Sequence, residues 1–396
     1  MPASSSALSS PSTHAWGAVL AMSLCSFALV ASEFMPVSLL TPIATDLHLS
    51  EGQAGQAISI SGIFAVITSL FIASATQRID RKKVLLVLTA LMVGSGVLVA
   101  CAPDYPSLMV GRALLGVAIG GCWSMSTAVM MRIAPEAMIP RAIAMLQGGS
   151  ALATAVAAPL GSFMGSLIGW RGAFFCVVPL AAIALVWQAL TLPSLPPSRN
   201  ATGAGATLAL LARPHMVTGM AALALLFMGQ FALFTYLRPF LETVTLVNVD
   251  QLSILLLGIG VAGLLGTTLV GLLLGRYLHS VLIAIPFLMA AITIALVAFG
   301  HSMVLVGLLL AAWGLIATSA PVGWFTWLSK TLPEDAEAGG GLMVAVIQLA
   351  ITLGATVGGL LYDGLGYQAT FIASAVMLVA ATLFTLSASR GMGTSH

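Results

Sequence analysis

The chain has 396 residues, of which 59% are apolar and 7% charged, with a formal net charge of +2 and a mean hydropathy of +1.08. That shortage of polar surface excludes a soluble globule, in which about a quarter of residues are charged, and the absence of a basic face excludes a nucleic-acid partner. What remains is a polytopic membrane protein.

A run of about 20 apolar residues spans the hydrocarbon of a bilayer. Twelve such runs occur, at 16–40, 53–75, 84–101, 107–131, 141–166, 171–192, 215–240, 251–275, 280–300, 303–329, 338–362 and 368–388. The Ser-rich start, Met1 to Pro11, contains no Lys or Arg, and the first run is too long for the core of a signal peptide, so it is expected to stay as the first helix.

Glu33 lies inside that first run. Burying an ionised acid at the middle of a membrane helix costs about 2.5–3.5 kcal/mol, so such a residue faces a cavity, meets a cation or takes up a proton. The plainer alternative is a solvated acid near a helix end.

The basic residues set the orientation. Arg78, Arg81, Lys82, Lys83, Arg132, Arg141, Arg199, Arg213, Arg276, Lys330 and Arg390 fall after even-numbered runs or at the carboxyl end, while only Arg171 and Arg238 fall at the opposite connections. The positive-inside rule then puts both termini in the cytoplasm.

Arg112, in the fourth run, is five residues past Ser107, and Glu33 is seven before Leu40. At 1.5 Å per residue both sit at similar depths from the outer side, about 8 and 10 Å, and are placed to pair. Arg112, Gly116, Gly120 and Trp123 follow at spacings that share one helix face.

The chain repeats itself. Gly366-Tyr367-Gln368-Ala369-Thr370-Phe371 matches Gly169-Trp170-Arg171-Gly172-Ala173-Phe174 at an offset of 197, which also places Pro42 on Pro239 and Glu33 on Gln230. The expected fold is an all-α membrane protein of twelve transmembrane helices in two pseudo-symmetric six-helix halves. The expected parts are a tail (1–15), a six-helix bundle (16–192), a linker (193–214), a second bundle (215–388) and a tail (389–396).

Several motifs fail on context. Gly258-Ile259-Gly260-Val261-Ala262-Gly263 spells a dinucleotide fingerprint but has no preceding strand, and is expected to be close helix packing. None of Lys82, Lys83 and Lys330 follows a Gly, so no Walker loop exists and transport would draw on an ion gradient. Cys25, Cys101, Cys122 and Cys176 lack metal or disulfide spacing and are expected to pack as small apolar residues. The sequon Asn200-Ala201-Thr202 falls on the cytoplasmic side of this topology and is discounted.

Three elements carry a family resemblance: the loop Arg78-Ile79-Asp80-Arg81-Lys82-Lys83, then Arg112 with Gly116, Gly120 and Gly121, then Gly148-Gly149 through Ala158-Pro159-Leu160-Gly161. Together they resemble the drug/proton antiporters of the major facilitator superfamily. Gln77 stands where that family usually has Asp, removing the acid of its usual gating pair, and Ala158 stands where it has Gly before Pro. Ser32-Glu33-Phe34-Met35-Pro36-Val37, Gly229-Gln230-Phe231-Ala232-Leu233-Phe234-Thr235-Tyr236, Pro321-Val322-Gly323-Trp324 and Val344-Ala345-Val346-Ile347-Gln348-Leu349 further resemble the bacterial exporters of purine ribonucleosides within it. The Glu-Phe-x-Pro-Val element is shared with sugar exporters.

That resemblance implies proton-driven antiport of inosine-type nucleosides (inosine, adenosine, guanosine) across the inner membrane by a monomer with no cofactor, no metal and no enzymatic activity. Glu33 and Arg112 would couple the proton, and Gln77, Arg78, Asp80 and Arg81 would form the gating loop. For the substrate, Gln230, Tyr236 and Gln348 offer donors and acceptors, and Phe34, Trp123, Phe234 and Trp324 offer aromatic faces. A broader drug or sugar exporter, and a membrane receptor or enzyme without transport, are the alternatives.

Overall fold

The computed structural model describes residues 13–135, 138–197, 205, 209–212, 214–332 and 336–392, and among these there are helices and no strands. In chain order the helices are α1 (Thr13–Asp46), α2 (Glu51–Ala75), α3 (Arg81–Ala100), α4 (Tyr105–Ile133), α5 (Ile139–Thr191), α6 (Pro214–Phe234), α7 (Leu237–Thr243), α8 (Val249–Phe299), α9 (Met303–Ala317), α10 (Ser319–Thr331), α11 (Ala336–Leu365) and α12 (Tyr367–Met392).

These helices differ from the twelve expected runs in a way that backbone chemistry explains. α5 and α8 are 53 and 51 residues long, about 80 Å against roughly 30 Å of hydrocarbon, so each accounts for two crossings. The backbone leaves helical conformation within them at Gly169 and at Tyr277. Conversely, the expected seventh and tenth helices are each divided. The breaks fall at Thr235–Tyr236 and at Thr318, next to the carbonyls four residues before Pro239 and Pro321, where a proline ring clashes and the hydrogen bond is missing. Counting α6 with α7 and α9 with α10, the described residues make twelve crossings. Its outer surface is apolar, with Leu272 81% and Leu190 76% exposed, as a lipid-facing surface requires.

The internal repeat is visible in backbone geometry. Gly169 and Gly366 both have a positive φ, 75° and 83°, a conformation glycine reaches without steric cost. Each is followed by a T-shaped aromatic pair, Trp170–Phe174 at 6.2 Å and Tyr367–Phe371 at 6.0 Å. His48 and Leu246 are also left-handed, and two residues on Ser50 and Asn248 start α2 and α8 with capping boxes closed by Gln53 and Gln251.

Buried apolar residues form two clusters, one drawn almost wholly from the first half of the chain and one from the second. The halves meet where α2 packs on α11 and α5 on α8. Hydrogen bonds across this seam gather toward the end that carries residues 46–51. There the Asp363 carboxylate accepts from Ser50 Oγ at 2.5 Å and from the Gly52 amide at 2.9 Å. Thr356 Oγ1 donates to Ser59 Oγ at 2.9 Å, and Arg238 donates to the Ser38 carbonyl. We call this the closed end. Arg238, expected in a connection, lies buried within α7 and pairs with Glu242 at 2.8 Å.

Of the expected linker, residues 193–197 are irregular and Leu210–Ala212 forms one short 3-10 turn. Arg199, Asn200 and Arg213 lie outside the described residues. Cys25 and Cys122 are buried, whereas Cys101 and Cys176 are exposed instead of packed.

Candidate functional site

Between the halves lies a cavity of about 310 Å³, lined by α1, α4 and α5 on one side and α6, α8, α9, α10 and α11 on the other. Pockets of this size take small organic ligands when a few polar groups converge in an apolar lining. Five of the residues singled out from sequence as ligand contacts line it: Phe34, Trp123, Gln230, Phe234 and Gln348. Glu33 does as well.

Each arrives there for a local reason. Glu33 and Phe34 face inward on α1, and Phe34 stacks on Phe231 of α6 at 5.8 Å with the rings 24° apart. Phe231 in turn meets Phe234 edge-on at 6.1 Å. Offset and edge-on rings at such distances are the favoured aromatic contacts. Gln230 stands at the place in the second half that Glu33 occupies in the first. Its Oε1 is buried with no hydrogen-bond partner among the described residues.

Glu33 and Arg112 do not pair as the sequence suggested. The carboxylate Oε1 accepts from Gln348 Nε2, across the seam, at 3.0 Å. Arg112 is 1% exposed and absent from the cavity wall. Its Nε donates to the Ala57 carbonyl at 2.8 Å, Nη1 to the Ser32 carbonyl at 2.7 Å, and Nη2 to the Ser61 hydroxyl at 3.1 Å and the Glu33 carbonyl at 3.3 Å. The guanidinium therefore grips the α1 backbone at Glu33, not its carboxylate. The reason lies in α4: a Cβ on Gly116 or Gly120 would meet α2 backbone oxygens at 2.2 Å. That glycine stripe consequently seats against α2 and carries Arg112 with it, leaving only Trp123 to reach the cavity.

Two further expectations are corrected. Tyr236 is fully buried outside the cavity, donating to the Ala355 carbonyl at 2.8 Å and stacking on Tyr362 at 5.3 Å. Trp324 is packed into the core of the second half against Trp327 at 5.4 Å, with its Nε1 unpartnered among the described residues. Neither lines the cavity.

The loop residues serve their own half. Asp80 caps α3 through the Lys82 amide at 2.8 Å and holds the start of the linker through Ser194 Oγ at 2.5 Å and the Leu195 amide at 3.0 Å. The Ser194 hydroxyl, with those two amides, keeps the Asp80 carboxyl below the usual carboxylate range. Arg81 donates to Thr76 Oγ1 at 2.6 Å, and Gln77 and Arg78 are exposed.

Sequence reasoning missed Gln147, Ser150 and Thr154 on α5, which line the cavity together with Thr267 and Thr318. Their 3- and 4-residue spacing, a polar stripe on an apolar helix, was the available signal. In the glycine run 258–263, Gly260 and Gly263 are closely packed, a Cβ on them lying 2.2 Å from the Ala155 carbonyl oxygen of α5 and 2.8 Å from Thr318 Cγ2, whereas Gly258 faces open space. No group of three or more His, Cys, Asp or Glu capable of holding a metal occurs among the described residues.

Known proteins share this architecture. A bacterial homologue of the lysosomal transporter Spinster, in an inward-facing and unoccupied conformation, superimposes with a TM-score of 0.77 over 96% of this chain and 98% of that one, at 18% identity. A variant of the nucleoside transporter NupG gives 0.76 over 94% and 98%, at 16%; at such identities the likeness is one of fold. In sequence, the purine ribonucleoside efflux pump NepI of Escherichia coli O157:H7 is 39% identical over 93% of each chain. A Pseudomonas aeruginosa protein named transcription regulatory protein OpdE is 57% identical over 95% of this chain and 94% of its own. Because the sequence pattern of one family matches residues 22–342 and the twelve crossings enclose a cavity at the seam of two repeats, the chain belongs to the Major Facilitator Superfamily and is a multi-pass membrane protein.

Proposed function

We propose that this protein is a proton-coupled antiporter that exports purine ribonucleosides, such as inosine, adenosine and guanosine, by alternating access. The observation that carries this reading is Glu33: one carboxylate, 7% exposed, on the wall of the cavity between the halves and hydrogen-bonded across the seam to Gln348. A buried acid in that place marks a proton pathway. The nucleoside part is supported by the relative named as a purine ribonucleoside efflux pump and by a lining that offers amides and stacked aromatic rings to a base.

In this mechanism the halves, 16–192 and 215–388, rock about the cavity while the segment 193–214 joins them on the cytoplasmic side. On this reading the positive-inside bias puts the closed end at the outer face of the cell inner membrane. Glu33 releases and regains its proton as access alternates. Arg112 fixes the α1 backbone beneath it, and the protein works as a monomer. Inverted vesicles offered labelled nucleosides, sugars and cationic dyes test this: an acidic lumen should drive uptake of inosine above equilibrium. Accumulation of only dyes or sugars would instead select the broader exporter.

A second reading has a specific observation behind it, the 57% identical relative named as a transcription regulator. An exporter that depletes an inducer alters transcription without touching DNA, and a non-transporting receptor also would. Gradient-driven flux in proteoliposomes separates the two.

A further inference from the structure

The 197-residue offset that relates the two halves also relates the two long walls of the cavity. Val30, Glu33 and Phe34 map onto Phe227, Gln230 and Phe231, and all six line it. On α5 and α11 the paired positions are Gln147 and Val344, Ser150 and Ile347, Ala151 and Gln348, and Thr154 and Ile351, again all lining. The geometry is repeated and the chemistry is inverted. The α5 wall is polar at three of four positions, whereas the α11 wall is apolar at three of four. The one polar residue among these four α11 positions, Gln348, already serves Glu33.

The capacity of the α5 wall is that of a hydroxyl-binding surface. Gln147 is exposed to the cavity, and its amide makes no hydrogen bond with the described residues, so it offers both a donor and an acceptor. Thr154 Oγ1 donates to the Ser150 carbonyl at 2.9 Å, which leaves its lone pairs to accept. Ser150 Oγ shares a 2.5 Å hydrogen bond with Ser26 Oγ, which fixes its position and leaves further acceptor capacity. Vicinal hydroxyls both give and accept, so they complement this set. Across the cavity, Ile347 and Ile351 line the same half as Phe231 and Phe234, whose rings meet edge-on, while Phe231 also stacks on Phe34 of the first half; the second-half surface is suited to a flat ring and unable to satisfy hydroxyls.

We infer that the Gln147–Ser150–Thr154 face of α5 is the sugar subsite, taking the ribose 2′- and 3′-hydroxyls while the base lies against the aromatic and aliphatic wall of the second half. The ligand is thereby oriented across the seam, its two ends held by different halves. This inference rests on the nucleoside reading above.

Equilibrium binding of inosine and of 2′,3′-dideoxyinosine to the purified full-length protein tests it, because the two share a base and differ only in the hydroxyls at issue. The parent should prefer inosine. In Gln147→Leu and Thr154→Val inosine affinity should fall about tenfold, and dideoxyinosine affinity should hold within about twofold. Retained dideoxyinosine binding also reports that each variant is folded, and Thr154→Ser, which keeps the hydroxyl, should restore the preference. A parent that binds both ligands equally, or variants that keep the parent's ratio, would overturn the sugar subsite alone. A parent that binds neither ligand overturns the nucleoside reading and the subsite with it.

Discussion

The turns at the closed end and the walls of the cavity are related by the same internal repeat, and the repeat has left them in opposite conditions. At the turns the halves are near copies: left-handed Gly169 and Gly366 with their T-shaped aromatic pairs, left-handed His48 and Leu246, and capping boxes on Ser50 and Asn248. In the cavity, equivalent positions carry different chemistry, Glu33 against Gln230 and Gln147 against Val344. A chain reversal has few backbone solutions and each demands particular residues. A cavity wall demands only that a side chain point inward, so each half is free to hold a different end of the cargo.

The sharpest test of that asymmetry is to erase it. Glu33→Gln gives the first half the amide that the second half has at Gln230. Uphill efflux driven by a pH difference should be lost altogether, while substrate binding and downhill exchange persist, as measured by flux in proteoliposomes with and without an imposed gradient. Accumulation as strong as the parent's would move the coupling elsewhere.

Next in size is Arg112→Ala. The guanidinium satisfies three carbonyls and a hydroxyl contributed by α1 and α2, and a buried charged donor contributes about 1.5–3 kcal/mol per bond. With partial relaxation a net loss of about 3 kcal/mol is expected, read as a lower unfolding midpoint in detergent. Because the grip is on the backbone at Glu33, coupling should fail together with stability. Full stability with lost coupling would instead show that Arg112 acts on the Glu33 carboxylate through space.

The two glutamines separate the halves more finely. Gln230→Leu removes an amide side chain from the cavity lining and should weaken inosine binding by about 1 kcal/mol. Gln348→Leu also strips Glu33 of its partner, so a larger loss is expected, up to about 3 kcal/mol, with the pH dependence of binding displaced. Equal effects in titration calorimetry would deny Gln348 its place across the seam.

What the sequence disclosed follows from the same contrast. Gly169 and Gly366 were legible as a repeat because their turns demand the same residues in both halves, and Glu33 because an acid in hydrocarbon is costly; the breaks ahead of Pro239 and Pro321 were not read from the sequence. Tyr236 and Trp324 were misplaced because the break at Thr235–Tyr236 and the one at Thr318 reset the helical phase, so spacing carried across a break no longer tells direction. Gln147, Ser150 and Thr154 went unnoticed because Ser and Thr commonly bond back to their own helix, as Thr154 does, and a ligand-facing stripe then looks like ordinary helix chemistry. The Arg112 grip on carbonyls was beyond reach, since it depends on how tightly the α4 glycines let α2 approach.

The smallest expected effect lies at the opposite end of the molecule from the closed turns, where the halves also differ in backbone. Asp80 divides α2 from α3 and fastens Ser194 and Leu195, whereas the second half runs through its equivalent place as one kinked helix, with Tyr277 at the break. Asp80→Ala should release the linker start and cost about 0.5 kcal/mol, since the carboxylate is partly exposed and solvent screens much of the interaction. The folded state holds this carboxyl below its ordinary range. Its contribution is therefore complete above the unfolded value, about 3.9, and fades only as pH falls through the lower folded value. Parent and variant should thus differ by the same small amount from pH 5 to pH 8 and converge only below about pH 4. A thermal-unfolding series across that range checks it. A difference that instead changed near neutral pH would assign the linker clasp to some group other than Asp80.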